Sequence, residues 1–205
     1  MNEKVYMHAI KDYEINKQLL TLMSIVRDGK IKSLRNQGKN DSCTYAGLDY
    51  ISLCDYELRN ITPIYDKYYN AYNSYIKNGI SLAYPKDKLD VIVPYYLDPS
   101  NETTETMSLA WDLGNSDRRY SDFYDEVQVK DELPIDDVEY LTFPTRHFFL
   151  SNALFTKNTK YSALQKKIYE MNLILDYFDF NRDIYDIDTQ TKLDDTGIKK
   201  LIYRK

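Results

Sequence analysis

Residues 120–144 read YSDFYDEVQVKDELPIDDVEYLTFP. Val127 and Val129 alternate with Glu126, Gln128 and Lys130, the period of two expected of a half-buried strand, whose successive side chains point to opposite faces. The alternation sets Glu126, Gln128 and Lys130 on one face. Leu133-Pro134 closes the run, because proline has no N–H to give to a ladder. After the acidic turn Asp136-Asp137, a second run from Val138 to Phe143 is expected to form the strand paired with the first. Glu126 thus becomes a carboxylate at the mouth of a strand held by a sheet.

Upstream, Val5 to Ile10 is a short β-prone run with His8 at or near its end. Leu19, Leu20, Met23, Ile25 and Val26 recur at helical intervals, and Gly29 stands at the C-cap position. Ser33 to Thr44 is a polar loop containing Arg35, and Gly47 to Tyr56 reads as the next strand, with Tyr50 and Ser52 two apart and so on one face. The tyrosine-rich segment Ile64 to Ile76 has helical spacing and suits packing onto the sheet, since a buried ring can keep a wet hydroxyl. Two further strands are expected over Gly79–Tyr84 and Leu89–Leu97, and Thr106 to Trp111 fits either a short helix or a strand. A polar loop from Gly114 to Tyr124 leads into Glu126. Tyr161 to Phe180 predicts a C-terminal helix covering the sheet, while Asn181 to Lys205 has no clear period. With no internal repeat, these patterns predict one α+β domain over residues 1–205, mainly helical from about 150.

The chain has 205 residues, a formal charge of −5, 21 tyrosines, and only 6 glycines and 6 prolines. This is the composition of an ordered domain, and its acidity argues against a dedicated polyanion binder, whose affinity comes from neutralising phosphates. Cys43 and Cys54 form no C-x-x-C pair, and no histidine stands near them at a metal-ligand spacing. They are expected as reduced thiols of a cytoplasmic protein without a bound metal. No run approaches the roughly 18 apolar residues that suggest a bilayer span, and no membrane partner is expected. G-x-G-x-x-G, Walker-type, H-E-x-x-H and G-x-S-x-G motifs are all lacking.

Three pieces of this sequence, in order, resemble the three motifs of the ADP-ribosyltransferases. His8 followed by the segment Leu22 to Ile31 (LMSIVRDGKI) resembles the first, a histidine on the first strand and then a helix. Tyr50 and Ser52 within Gly47 to Tyr56 (GLDYISLCDY) resemble the second. Glu126 to Lys130 (EVQVK), with the sequel LPIDDV, resembles the third and its tail in the DarT-type branch. The resemblance implies a split β-sheet core with flanking helices and NAD as co-substrate.

It further implies that Glu126 is the catalytic carboxylate, stabilising positive charge on the ribose as neutral nicotinamide departs. His8 would orient the ribose hydroxyls. Tyr50 would stack on nicotinamide and Ser52 would bond to the ribose, while Arg35 and Arg119 lie in loops bordering the pocket and suit the pyrophosphate. Tyr124 stands where arginine-modifying members carry Gln or Glu two residues before the catalytic acid. A protein or nucleic-acid acceptor, a toxin or effector role, and a cognate inhibitor or antitoxin are what the resemblance implies. Two other readings fit the residues: a non-catalytic nucleotide- or protein-binding module on the same scaffold, and a tyrosine-rich interaction protein with no NAD site.

Overall fold

A computed structural model of the chain describes residues 4–10, 12, 14–33, 35–38, 50–55, 78–91, 126–151 and 156–203. The expected tyrosine-rich helix, the segment Thr106 to Trp111, the loop before Glu126, and Arg119 and Cys43 lie outside them, as does most of the expected strand Leu89–Leu97. Among the described residues are eight strands and four helices in a mixed α+β arrangement.

β1 is Val5–Ala9, and α1, Ile15–Asp28, follows it. The helix buries Ile15, Gln18, Leu19, Leu22 and Val26, the i, i+3, i+4, i+7, i+11 pattern that forms one stripe. Leu20 and Met23, which the sequence pattern placed in that stripe, are exposed on the other side. Gly29 ends the helix at φ 68°, a left-handed conformation that side chains resist. A short β2, Lys30–Lys32, and a single 3₁₀ turn, Arg35–Gln37, come next. β3 is Tyr50–Asp55, β4 is Ser81–Pro85 and β5 is Glu126–Lys130.

Two expectations for the stretch after β5 are corrected. Leu133-Pro134 does not end the strand region: Asp131 turns the chain at φ 64°, and Glu132–Pro134 forms β6 against β2, supported by the Lys30–Glu132 ion pair at 2.6 Å. Proline is tolerated there because, among the described residues, this small ladder has two strands and β6 is an edge. The second apolar run does form a strand, β7 (Tyr140–Phe143), but it does not pair with β5. All four of its residues are buried, so it needs a neighbour on each side, and it finds them in β4 and in β8 (Asp183–Asp186).

The main sheet has the order β5-β3-β1-β4-β7-β8, antiparallel throughout except for the parallel β7–β8 pair. α2 (Thr145–Leu150), α3 (Lys157–Tyr177) and α4 (Asp195–Tyr203) complete the described elements. α3 begins at Thr156, whose hydroxyl accepts from the N–H of Thr159 at 3.3 Å. Leu164, Ile168, Met171 and Leu175 on α3 and the α1 stripe share one core with Ile51, Leu53, Leu82, Tyr84, Val127, Leu141, Phe143 and Ile184 from the sheet. The opposite face carries a smaller core of Val5, Met7, Ala9, Cys54, Ala83, Tyr140 and Ile187. Burying a large apolar side chain contributes about 1.5–3 kcal/mol, so the two-helix face dominates the stability of the sheet.

Candidate active site

The strands bearing the three motifs are neighbours. β1 carries His8, β3 carries Tyr50 and Ser52, β5 begins with Glu126, and they lie side by side with β3 in the middle. Register aligns Met7 with Cys54 and Cys54 with Glu126, one rung across all three strands. Gln128 is level with Ser52 and Lys130 with Tyr50.

Among the described residues the β1–β3 ladder consists of Tyr6–Asp55 and Met7–Cys54 alone, whereas β1 stays paired with β4 as far as Ala9–Ser81. The two strands therefore part at His8. The half-buried imidazole spans the opening, with Nδ1 3.0 Å from the carbonyl oxygen of Ser52. A carbonyl can only accept, so Nδ1 carries the proton and donates, and in the neutral ring Nε2 is an acceptor.

Strand parity adds a second constraint. His8 is paired with Leu82, which belongs to the large core, while Ser52 alternates with Leu53 of that core and so shares the face of Cys54. It follows that the backbone of Ser52, rather than its hydroxyl, meets the histidine. Tyr50 stands four residues from the Cys54–Glu126 rung, about 13 Å along the strand at the usual rise. His8, Ser52 and the start of β5 lie within two rungs along the sheet, but the Glu126 position is level with Cys54 of the smaller-core face whereas His8 stands on the large-core face, and Tyr50 lies at the far end.

Arg35 opens the 3₁₀ turn after β2. Its neighbours tie that turn to the end of β5: Ser33 N–H donates to the Asp131 carbonyl at 2.8 Å and Asn36 Nδ2 donates to it at 3.2 Å. The backbone of Arg35 therefore sits toward the Tyr50–Lys130 end of the opening.

Two polar residues at this place were not singled out by the sequence. Gln128, in the rung of Ser52, is 6% exposed, and Gln18 on α1 is fully buried. Alternation in β5 marks Gln128 as the middle of a polar face, which hides the fact that it is buried while Lys130 reaches water. A groove of about 440 Å³, lined by Glu139, Asn172, Leu175, Asp176, Asn181, Arg182 and Asp183, lies at the opposite, β8 edge of the sheet. There Arg182 donates to the carbonyls of Val138 (2.5 Å), Asn181 (2.9 Å) and Asp136 (3.0 Å), a structural use of the guanidinium.

Among the described residues no group of three or more His, Cys, Asp or Glu could hold a metal ion, and no helix is long and apolar enough to cross a membrane. Comparison with family models, with curated proteins and with solved structures gives no match.

Proposed function

We propose that this chain is a mono-ADP-ribosyltransferase, built on a split-sheet ADP-ribosyltransferase scaffold, that cleaves NAD and transfers ADP-ribose to a macromolecular acceptor. One observation carries the reading: the histidine, tyrosine-serine and glutamate strands are adjacent, and β1 and β3 part where the imidazole of His8 meets Ser52. These residues are far apart in sequence, and a sheet with β3 between β1 and β5 makes the strands that carry them neighbours. The neighbouring two-stranded β2–β6 ladder suits a core divided around a cleft.

In the proposed reaction the bond between ribose C1′ and the nicotinamide nitrogen breaks, its electron pair leaving with neutral nicotinamide. Glu126 supplies the carboxylate that stabilises the cationic sugar. An acceptor nucleophile then bonds to C1′ and releases its proton to solvent. His8 orients a ribose hydroxyl, Ser52 bonds to the ribose, Tyr50 stacks on nicotinamide, and Arg35 and Arg119 serve the pyrophosphate. Such an activity suits a toxin or effector with a cognate inhibitor.

A non-catalytic nucleotide-binding module is the second reading. It is favoured by strand parity, which puts His8 and the Ser52 side chain on different faces of the sheet. The test is to incubate the protein with adenine-labelled NAD and follow nicotinamide release and label transfer. The enzyme reading expects turnover that falls by about 100-fold or more in Glu126→Gln. Saturable binding of NAD that stays intact would establish the module, and no binding at all would end both readings.

A further inference from the structure

α3 carries apolar side chains on two opposite sides. Leu164, Ile168, Met171 and Leu175 are buried in the core shared with the sheet. Tyr169, Leu173 and Tyr177 are on the far side and keep 61%, 49% and 81% exposure. The exposed positions Ser162, Lys166, Tyr169, Leu173 and Asp176 recur at alternating intervals of four and three. This is the spacing of a seam along which one helix packs lengthwise on another.

Charge identifies the helix that fits. Along the seam a cation, Lys166, precedes the two apolar positions, and an anion, Asp176, follows them. Tyr169 and Leu173 lie two residues either side of Met171, Lys166 and Asp176 five either side. When two copies of α3 run antiparallel with a two-fold axis level with Met171, Tyr169 of each copy therefore meets Leu173 of the other, and Lys166 of each meets Asp176 of the other. Tyr177 flanks the seam, level with Gln165. A parallel pairing would set Lys166 on Lys166 and Asp176 on Asp176. An antiparallel pairing centred on Leu173 would bring Glu170 level with Asp176. Both juxtapose like charges, which disfavours them.

Asp176 also stands on the rim of the 440 Å³ groove at the β8 edge, where Glu139 and Asp183 supply two more carboxylates. Arg182, the only cation among the lining residues, is committed to three backbone carbonyls. Lys192 pairs with Asp183 at 2.7 Å, and among the described residues no ion pair reaches Asp176. Lys166 has a loose partner of its own, Glu170 at 3.9 Å, in the less favourable order of lysine before glutamate along a helix. Exchanging that exposed contact for an acidic rim costs little.

We infer that this chain self-associates through α3: a second copy lies antiparallel on Tyr169 and Leu173, with Lys166 of each copy on Asp176 at the groove of the other. The inference is independent of the NAD reading. A seam with two apolar layers and an ion-pair layer at each end is short, and interfaces under about 1,200 Å² in total are weak ones. The dimer is accordingly expected to form with a Kd between about 10 µM and 1 mM.

The experiment is sedimentation velocity on the full chain from about 5 µM to 1 mM, where the wild type is expected to pass from monomer to dimer. Lys166→Glu and Asp176→Lys each place like charges in both outer layers, and each is expected to raise the Kd at least about tenfold. An equimolar mixture of these two variants restores opposite charges in both layers and is expected to dimerise as the wild type does. Lys157→Glu, an equal change of charge on the same helix outside the seam, is expected to leave the Kd within about twofold. All three positions are exposed, so the variants are expected to fold. A wild type that stays monomeric at about 1 mM overturns the inference and leaves this face to a helix of another protein. A dimer that the single variants leave intact overturns it too, as does a mixture no more associated than its components.

Discussion

The hydroxyl of Tyr161 donates to Asp195 Oδ1 across 2.5 Å and joins α3 to α4. Lys199 Nζ holds the other carboxylate oxygen at 2.6 Å, and Gln165 Nε2 donates to Oδ1 at 3.0 Å. The bond from Lys199, then that from Tyr161, keeps the Asp195 carboxyl below its ordinary value of 3.8, and the same carboxylate raises the Tyr161 phenol above 10.0. A depressed carboxylate contributes stability that is complete above its unfolded value and lost as pH falls through the folded one. A raised phenol contributes below its unfolded value and loses that contribution as pH rises through the folded one. Asp195→Asn is therefore expected to flatten both limbs of the Tm profile, below about pH 4 and above about pH 10. The effect is small because both groups face water.

Gly197 sits where α4 passes the carbonyl oxygen of Lys192, and a Cβ there would lie 1.8 Å from that oxygen. The obstacle is backbone, so α4 would have to move. Gly197→Ala is expected to destabilise the fold by about 1–3 kcal/mol. Urea unfolding with an unchanged m-value would check it.

Tyr84 on β4 is completely buried, and among the described residues its hydroxyl has no hydrogen-bond partner. Burial, and secondarily the charge of Asp137, pushes its phenol far above the usual range. An unmet buried hydroxyl costs the fold its desolvation, so Tyr84→Phe is expected to be neutral or stabilising by up to about 1–2 kcal/mol. The wild type should also lose stability as pH rises above 10, where its unfolded chain ionises and the buried phenol cannot. The variant should lose less, as thermal melts of both proteins between about pH 8 and 11 would show.

Because the imidazole of His8 bonds to the backbone of Ser52, the Ser52 hydroxyl and the histidine separate experimentally. Ser52→Ala should leave the ¹⁵N NMR shifts of the His8 ring nitrogens unchanged and cost less than about tenfold in NAD turnover. His8→Ala should cost more. The reverse order would assign the chemistry to the hydroxyl.

Local chemistry made much of this architecture readable. Alternation around Val127 and Val129 marks β5, and Gly29 marks the end of α1 at the residue that takes up the left-handed turn. Partner choice was not readable. Val138 to Phe143 has the composition of a strand, but nothing within it says that its neighbours are β4 and β8, because pairing is settled by residues more than forty positions away. Asp131 is a non-glycine residue at positive φ and gives no local warning of the turn that sends β6 to β2. Leu20 and Met23 were placed on the wrong side of α1 because counting apolar residues does not reveal that Gln18 occupies the buried stripe. Of the site, the strands could be read, whereas the end of the β1–β3 ladder at Met7–Cys54 could not, because it depends on how two strands distant in sequence pair.

The parallel pairing of β7 with β8 has a bearing on biosynthesis. β7 is translated some forty residues before the strand that flanks it, so while the intervening helices α2 and α3 are being made, a row of bare amide and carbonyl groups awaits its cover. Nascent chains stalled before residues 183–186 emerge from the ribosomal tunnel present a sticky margin on an otherwise formed sheet. Expression fragments cut short of that strand will recruit one another there and precipitate.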